Sequence, residues 1–195
     1  MPAKRSFTAF LAVSVALAAA AAQAHTLETP GVGQGFPAGF FHPFLGLDHA
    51  LAMASIGLLA AQQGGRLFWR LPLAFLGMMA VGAAAGVAAL PLPMVEAGIA
   101  TSVLVLGLLL ASGARLPVGA SLVLAGLFAL LHGYAHGAEA PPSASLAYGL
   151  GFLAATAALH LMGMALGIGM RRVHSPLLLR AGGVAIAAAG LLSWA

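Results

Sequence analysis

Six apolar stretches follow one another over residues 38–62, 68–90, 95–112, 117–136, 145–170 and 177–194, with only short breaks between them. At about 1.5 Å of helical rise per residue, each can cross a hydrocarbon core of about 30 Å, the third and sixth at the short end. No water is available in that core to satisfy peptide groups, so such stretches must be helical. Charge is correspondingly scarce. Only 6% of the 195 residues are Asp, Glu, Lys or Arg, against 62% hydrophobic. A soluble domain carries roughly a quarter of charged residues. The sequence therefore predicts an all-α polytopic membrane protein, with no room for a soluble domain. It excludes a nucleic-acid binder, since eight Lys and Arg are too few for a basic patch. Cysteine is absent, which excludes disulfides, thiolate metal sites and a cysteine nucleophile.

Residues 1–24 read as a secretory signal peptide: Lys4 and Arg5 form a positive start, Phe7 to Ala22 an apolar run, and Ala22-Gln23-Ala24 a small-residue cleavage site. The mature chain, 25–195, then begins at His25 as a single six-helix transmembrane domain. An uncleaved anchor is the alternative, and it leaves the later topology unchanged. With His25 outside, the first, third and fifth loops face the cytoplasm. They and their edges hold Arg66, Arg70, Arg115, Arg171, Arg172 and Arg180, every arginine of the mature chain, while Glu28, Glu96 and Glu139 fall on the outer side. This is the positive-inside bias of a membrane protein whose mature N-terminus lies outside. Small residues within the spans, such as Gly82-Ala-Ala-Ala-Gly86 and Gly163-x-x-x-Gly167, predict close helix packing rather than ligand contacts.

Asp48 is the one acid well inside a span, and an intramembrane carboxylate is costly unless it is paired or functional. It adjoins His49 and lies six residues after His42. In a straight helix the two histidines would sit about 10 Å apart along the axis, too far to share a metal ion. Pro43 and Gly46 could break the helix and bring them together. Otherwise they are successive stations, with Asp48 a ligand or the partner that orients His49. In the fourth span His132 and His136 have the i, i+4 spacing that places two imidazoles on one helix face, with Glu139 a turn further on. His160 lies near the middle of the fifth span, followed a turn later by Met164.

Counted from the span ends, His42, His132, His136 and Glu139 lie toward the outside, and Asp48, His49 and His160 near the midplane. A lone membrane histidine ordinarily serves a helix–helix hydrogen bond. Five histidines and an aspartate on three helices at matching depths point instead to a path for a metal ion. Met53 and Met164 come next toward the cytoplasm, although methionine at such positions is more simply core filler. His174 beside the cytoplasmic arginines carries no such reading. His25, as a mature N-terminus, would pair an α-amine with an imidazole and could capture metal from outside.

At these residues the sequence resembles the HupE/UreJ family of bacterial membrane proteins. The likeness rests on His42-Pro43-x-x-Gly46-x-Asp48-His49, on His132-Gly133-x-Ala135-His136-Gly137-x-Glu139, and on Gly151 to His160. It runs over essentially the whole mature chain. The resemblance implies six spans behind a signal peptide and uptake of nickel or cobalt for hydrogenase or urease, with His42, Asp48 and His49 as motif ligands. Further histidines can follow the signal peptide in this family, and here His25 stands alone.

Residues and resemblance together predict a secondary permease, not an enzyme, for Ni²⁺ or Co²⁺. It needs no tightly bound cofactor. Its partners are the divalent ion and the bilayer, with a homo-oligomer compatible and no nucleic acid. No nucleotide-binding motif is present, and imidazole with carboxylate suits borderline divalent ions. A histidine-box membrane metalloenzyme and a bis-histidine haem protein are the alternatives.

Overall fold

The computed structural model describes residues 35–141, 145–172 and 176–194, so the signal segment and His25, and also His174, lie outside the described residues. Seven helices account for nearly all of it: α1 Phe36–Leu45, α2 Leu47–Gln63, α3 Leu67–Val87, α4 Val95–Ser112, α5 Val118–Ala138, α6 Ser145–Arg172 and α7 Pro176–Leu192. No strand occurs among the described residues. Four helices (α3 to α6) are long and apolar enough to cross a membrane. The stretch expected at 38–62 is not continuous: α1 and α2 meet at 90°, and only as a bent pair, a broken span or a re-entrant loop, do they reach the length and hydropathy of a span. The last helix is apolar but only 17 residues long.

The break has a local cause. Gly46 is extended (φ −103°, ψ 115°), closing α1 and opening α2 as a single residue. Its carbonyl accepts the first bond of α2, from the Ala50 N–H at 3.0 Å. Pro43, three residues earlier, has no N–H to extend the α1 ladder. Elsewhere the helices stop where the sequence places glycine: Gly64 and Gly113 both follow helix C-termini at positive φ (65° and 69°), a conformation that costs a side-chain-bearing residue much more.

The helices pack through glycine, and not in chain order. Gly82 and Gly86 of α3 face the backbone at Leu130 and Tyr134 of α5, while Gly133 and Gly137 of α5 face Met79 and Ala83 of α3. A Cβ at any of these four would run into the facing carbonyl. The numbers rise together, so α3 and α5 are parallel. Gly57 of α2 and Gly163 of α6 make the same kind of parallel contact, with the His160 and Ala54 carbonyls. Gly107, Gly183 and Gly190 bring α4 and α7 together antiparallel. Such approaches let van der Waals contact and close backbones do what hydrophobic burial cannot do between helices in lipid.

Polarity is distributed accordingly. The outward faces carry large apolar side chains such as Leu73, Val81, Leu127 and Leu161, whereas Ser55, Ser102, Ser121, Thr156 and three histidines are buried. One end of the bundle gathers the arginine-bearing links. There the Gln62 and Gln63 amides donate to the Ala114 carbonyl, and Arg171 Nη1 donates to the Ala61 carbonyl at 2.7 Å. At the other end the Tyr134 hydroxyl donates to the Leu90 carbonyl at 2.6 Å. That end also holds Glu139, and it is where the histidines begin.

Candidate metal centre

Three elements of different kinds supply the site. The helix break delivers His42 from the last turn of α1 and Asp48 and His49 from the first turn of α2. The final two turns of α5 deliver His132 and His136, and Glu139 follows as the first residue beyond that helix. The long helix α6 walls the site with Tyr148 and Phe152.

The 90° bend removes the separation that a straight helix would impose on His42 and His49. Both rings rest on His136, with centroids at 4.9 Å and 4.7 Å. His49 also meets His132 at 5.2 Å. Four imidazoles are therefore contiguous, in the order His42, His136, His49, His132. At the open end, one ligand atom each from His42, His136 and Glu139 lies within 4.8 Å of the others. There His42 Nε2–H donates to Glu139 Oε2 at 2.8 Å.

Hydrogen bonds determine which nitrogens remain available. His49 Nδ1–H donates to Asp48 Oδ1 at 2.9 Å, and the His49 peptide N–H donates to the same oxygen at 2.8 Å. His132 Nδ1–H donates to the Phe128 carbonyl at 2.8 Å. Each bond sets the tautomer and leaves Nε2 with its lone pair, as metal-ligating imidazoles are usually held. Both Nε2 atoms are buried without a partner among the described residues, and so are both nitrogens of His136. A buried polar atom left unpaired costs about 1–3 kcal/mol. Several in contact make a site whose bonding capacity a metal ion would use. Asp48 itself sits in the first turn of α2, where the helix dipole favours a negative charge.

Exposure is greatest at the mouth. The Glu139 side chain is 55% exposed, His42 29% and His49 15%, while His132 and His136 are fully buried. The hydrogen bond from His42 holds the Glu139 carboxyl below its ordinary value despite partial burial, so the mouth carries a carboxylate.

Of the residues singled out in the sequence, His42, Asp48, His49, His132, His136 and Glu139 come together. His160 does not join them directly. The Phe75 ring stands against both, 5.9 Å from His132 and 5.2 Å from His160, and both nitrogens of His160 are buried and unpartnered among the described residues. The aromatic wall was not singled out: Phe152 stacks on His136 at 5.0 Å, and Tyr148 meets His42 edge-on at 5.6 Å. Its signal was available in the i, i+4 series Tyr148, Phe152, Thr156, His160, Met164, one buried face of α6.

Comparison with known proteins gives one family. The sequence model described as HupE / UreJ protein matches residues 12–193. A curated relative, "Protein HupE" of Rhizobium leguminosarum bv. viciae, is 42% identical over 154 residues, covering 78% of this chain and 81% of its own. No solved structure matches.

Proposed function

The chain belongs to the HupE / UreJ family, and from that membership we propose that it is a secondary permease importing a divalent transition-metal ion. Nickel is the foremost candidate and cobalt the next, for supply to hydrogenase or urease. In this reading the protein is an integral protein of the bacterial inner membrane with six spans. The broken α1–α2 unit counts as the first span and the short α7 as the sixth. The arginine end faces the cytoplasm, by the positive-inside bias, and Glu139 and His42 open to the periplasm.

The observation that carries the proposal is the junction of His42, His136 and Glu139 within 4.8 Å of one another, leading inward to His49 and His132. Imidazole and carboxylate together suit Ni²⁺, Co²⁺ or Zn²⁺ better than Mg²⁺ or Ca²⁺. The Glu139 carboxylate draws the ion to the mouth, the His42 and His136 imidazoles replace its hydration shell, and His49, oriented by Asp48, receives it deeper. The membrane potential favours inward movement of a divalent cation by about 4.6 kcal/mol per 100 mV, so no nucleotide hydrolysis is needed. Rings in direct edge contact leave no room for a macrocycle between them, which weighs against the haem alternative.

Uptake of labelled Ni²⁺ into proteoliposomes under an inside-negative potential tests the proposal, with Co²⁺, Zn²⁺ and Cu²⁺ as competitors. Saturable uptake that is abolished in His136→Ala is the expected result. Correctly inserted protein that moves no metal, or His136→Ala and His49→Ala variants that transport as the wild type does, would overturn it.

A further inference from the structure

We propose that Met53, Met79, Thr156 and His160 form a second metal-binding station, softer than the histidine cluster and lying on its arginine side. The inference rests on the permease reading above and concerns what the ion meets after the histidines.

The station is a group of acceptors gathered around one proton. The Thr156 hydroxyl lies 2.8 Å from the Phe152 carbonyl, 3.2 Å from the Met53 sulfur and 3.5 Å from the Met79 sulfur. Its single O–H is best spent on the carbonyl, the shortest of the three and the usual i−4 bond of a helical threonine. Two thioether sulfurs and the hydroxyl lone pairs then face one another with no donor between them. Thr156, Met53 and Met79 are each wholly buried, so water does not supply the missing donor. One turn further along the same face of α6 lies His160, 1% exposed, with neither nitrogen partnered among the described residues. An electron-rich pocket of two sulfurs and a hydroxyl oxygen, with an unpartnered imidazole one turn beyond, suits a cation, and a polarisable one.

Three different helices build it. Gly57 of α2 sits against the His160 carbonyl, and Met53, one turn before it, comes level with Thr156, one turn before His160 on the parallel α6. Met79 follows Phe75 by one turn on α3. Phe75, one turn nearer the arginine end than Met79, lies edge-on against His160 and beside His132, so one ring contacts both imidazoles. Methionine, with three rotatable bonds, can turn its sulfur onto an ion without backbone movement. Thioether and imidazole together pass borderline ions and reject hard ones such as Mg²⁺. The station would therefore add selectivity that the carboxylate-bearing mouth does not.

The test uses the full chain purified in detergent, loaded with Co²⁺ or Ni²⁺, with metal content measured after removal of free ion and X-ray absorption at the metal edge. A second ion per chain with a sulfur neighbour is expected. Met53→Leu with Met79→Leu, which keeps volume and apolarity, should remove that ion and the sulfur signal but leave the other. His160→Gln should weaken the same ion, and His136→Ala the other one. A single ion without sulfur, lost in His136→Ala and untouched by the leucine pair, would overturn the station and leave the permease reading standing. A wild-type chain that binds neither metal would overturn both.

Discussion

His42 and Glu139 are 97 residues apart in the chain, yet His42 Nε2 lies 2.8 Å from Glu139 Oε2. One comes from the end of a helix that stops at a glycine, the other from the first residue past α5. Their bond closes the open end of the histidine cluster, and it keeps Glu139 ionised. The hydrogen bond holds the carboxyl below the ordinary glutamate value of 4.5. Its charge is thus present above that pH and is lost only as pH falls through the depressed value.

A prediction about pH follows. Glu139→Gln removes a charge that wild type holds at both pH 5.5 and pH 7.5. The variant should raise the KM for Ni²⁺ uptake by the same factor at both, about 10-fold if the carboxylate acts as one ligand-shell partner. Initial-rate uptake at the two pH values checks this. A ratio that collapses toward unity at pH 5.5 would mean that the carboxyl titrates in that interval.

Asp48→Asn should be more damaging than its conservative form implies. The carboxylate accepts from His49 Nδ1–H and from the His49 peptide N–H. An amide can present its NH₂ to Nδ1 instead, which moves the ring proton to Nε2 and withdraws the buried lone pair there. Loss of such an orienting partner costs about 10- to 100-fold in metal affinity. Calorimetric titration of detergent-purified protein with Ni²⁺ measures the loss, and Asp48→Glu should not restore it fully because the added methylene misplaces the oxygen.

Much of this is legible in the sequence. The helices between 68 and 170 follow from length and hydropathy alone, and the glycine pairs on α3 and α6 announced close packing. Which helix each glycine faces was not legible, because small-residue faces are interchangeable and only the whole bundle selects α3 with α5 and α4 with α7. The sequence allowed a break at Gly46 without requiring one, since an extended glycine and a helical one differ by little until His136 and Asp48 engage. His160 exposes the limit most clearly. Counting from helix ends puts His160 level with His49, but it is Gly57, two turns past His49 on α2, that meets the His160 carbonyl, so His160 lies deeper in the bundle, behind Phe75.

The break itself can be tested at Gly46. An alanine Cβ there would come to 3.0 Å from both Asp48 Oδ1 and His49 Nδ1, tight enough to push the pair apart, and alanine also favours a continuous helix. Gly46→Ala should insert and fold normally while Ni²⁺ uptake falls about 10-fold, as for other lost supports of a metal ligand. Uptake equal to wild type would show that His42 and His49 need not share His136.

Two glycines on neighbouring elements should respond in opposite ways to the same substitution. At Gly133 a Cβ would meet the Met79 backbone carbonyl, which cannot rotate away, so Gly133→Ala must part α3 from α5. Overpacking of that kind costs about 1–3 kcal/mol. It also moves His132, the adjacent residue, so both stability and Ni²⁺ affinity should drop. At Gly77, on the same α3, nothing lies within 4 Å of an added Cβ. Gly77→Ala should leave transport intact and raise stability by up to about 1 kcal/mol, the usual gain of alanine over glycine inside a helix. Thermal unfolding of the two variants in one detergent reads the contrast directly. If both shift the midpoint alike, glycine serves these helices through backbone entropy and not through the close approach of α3 and α5.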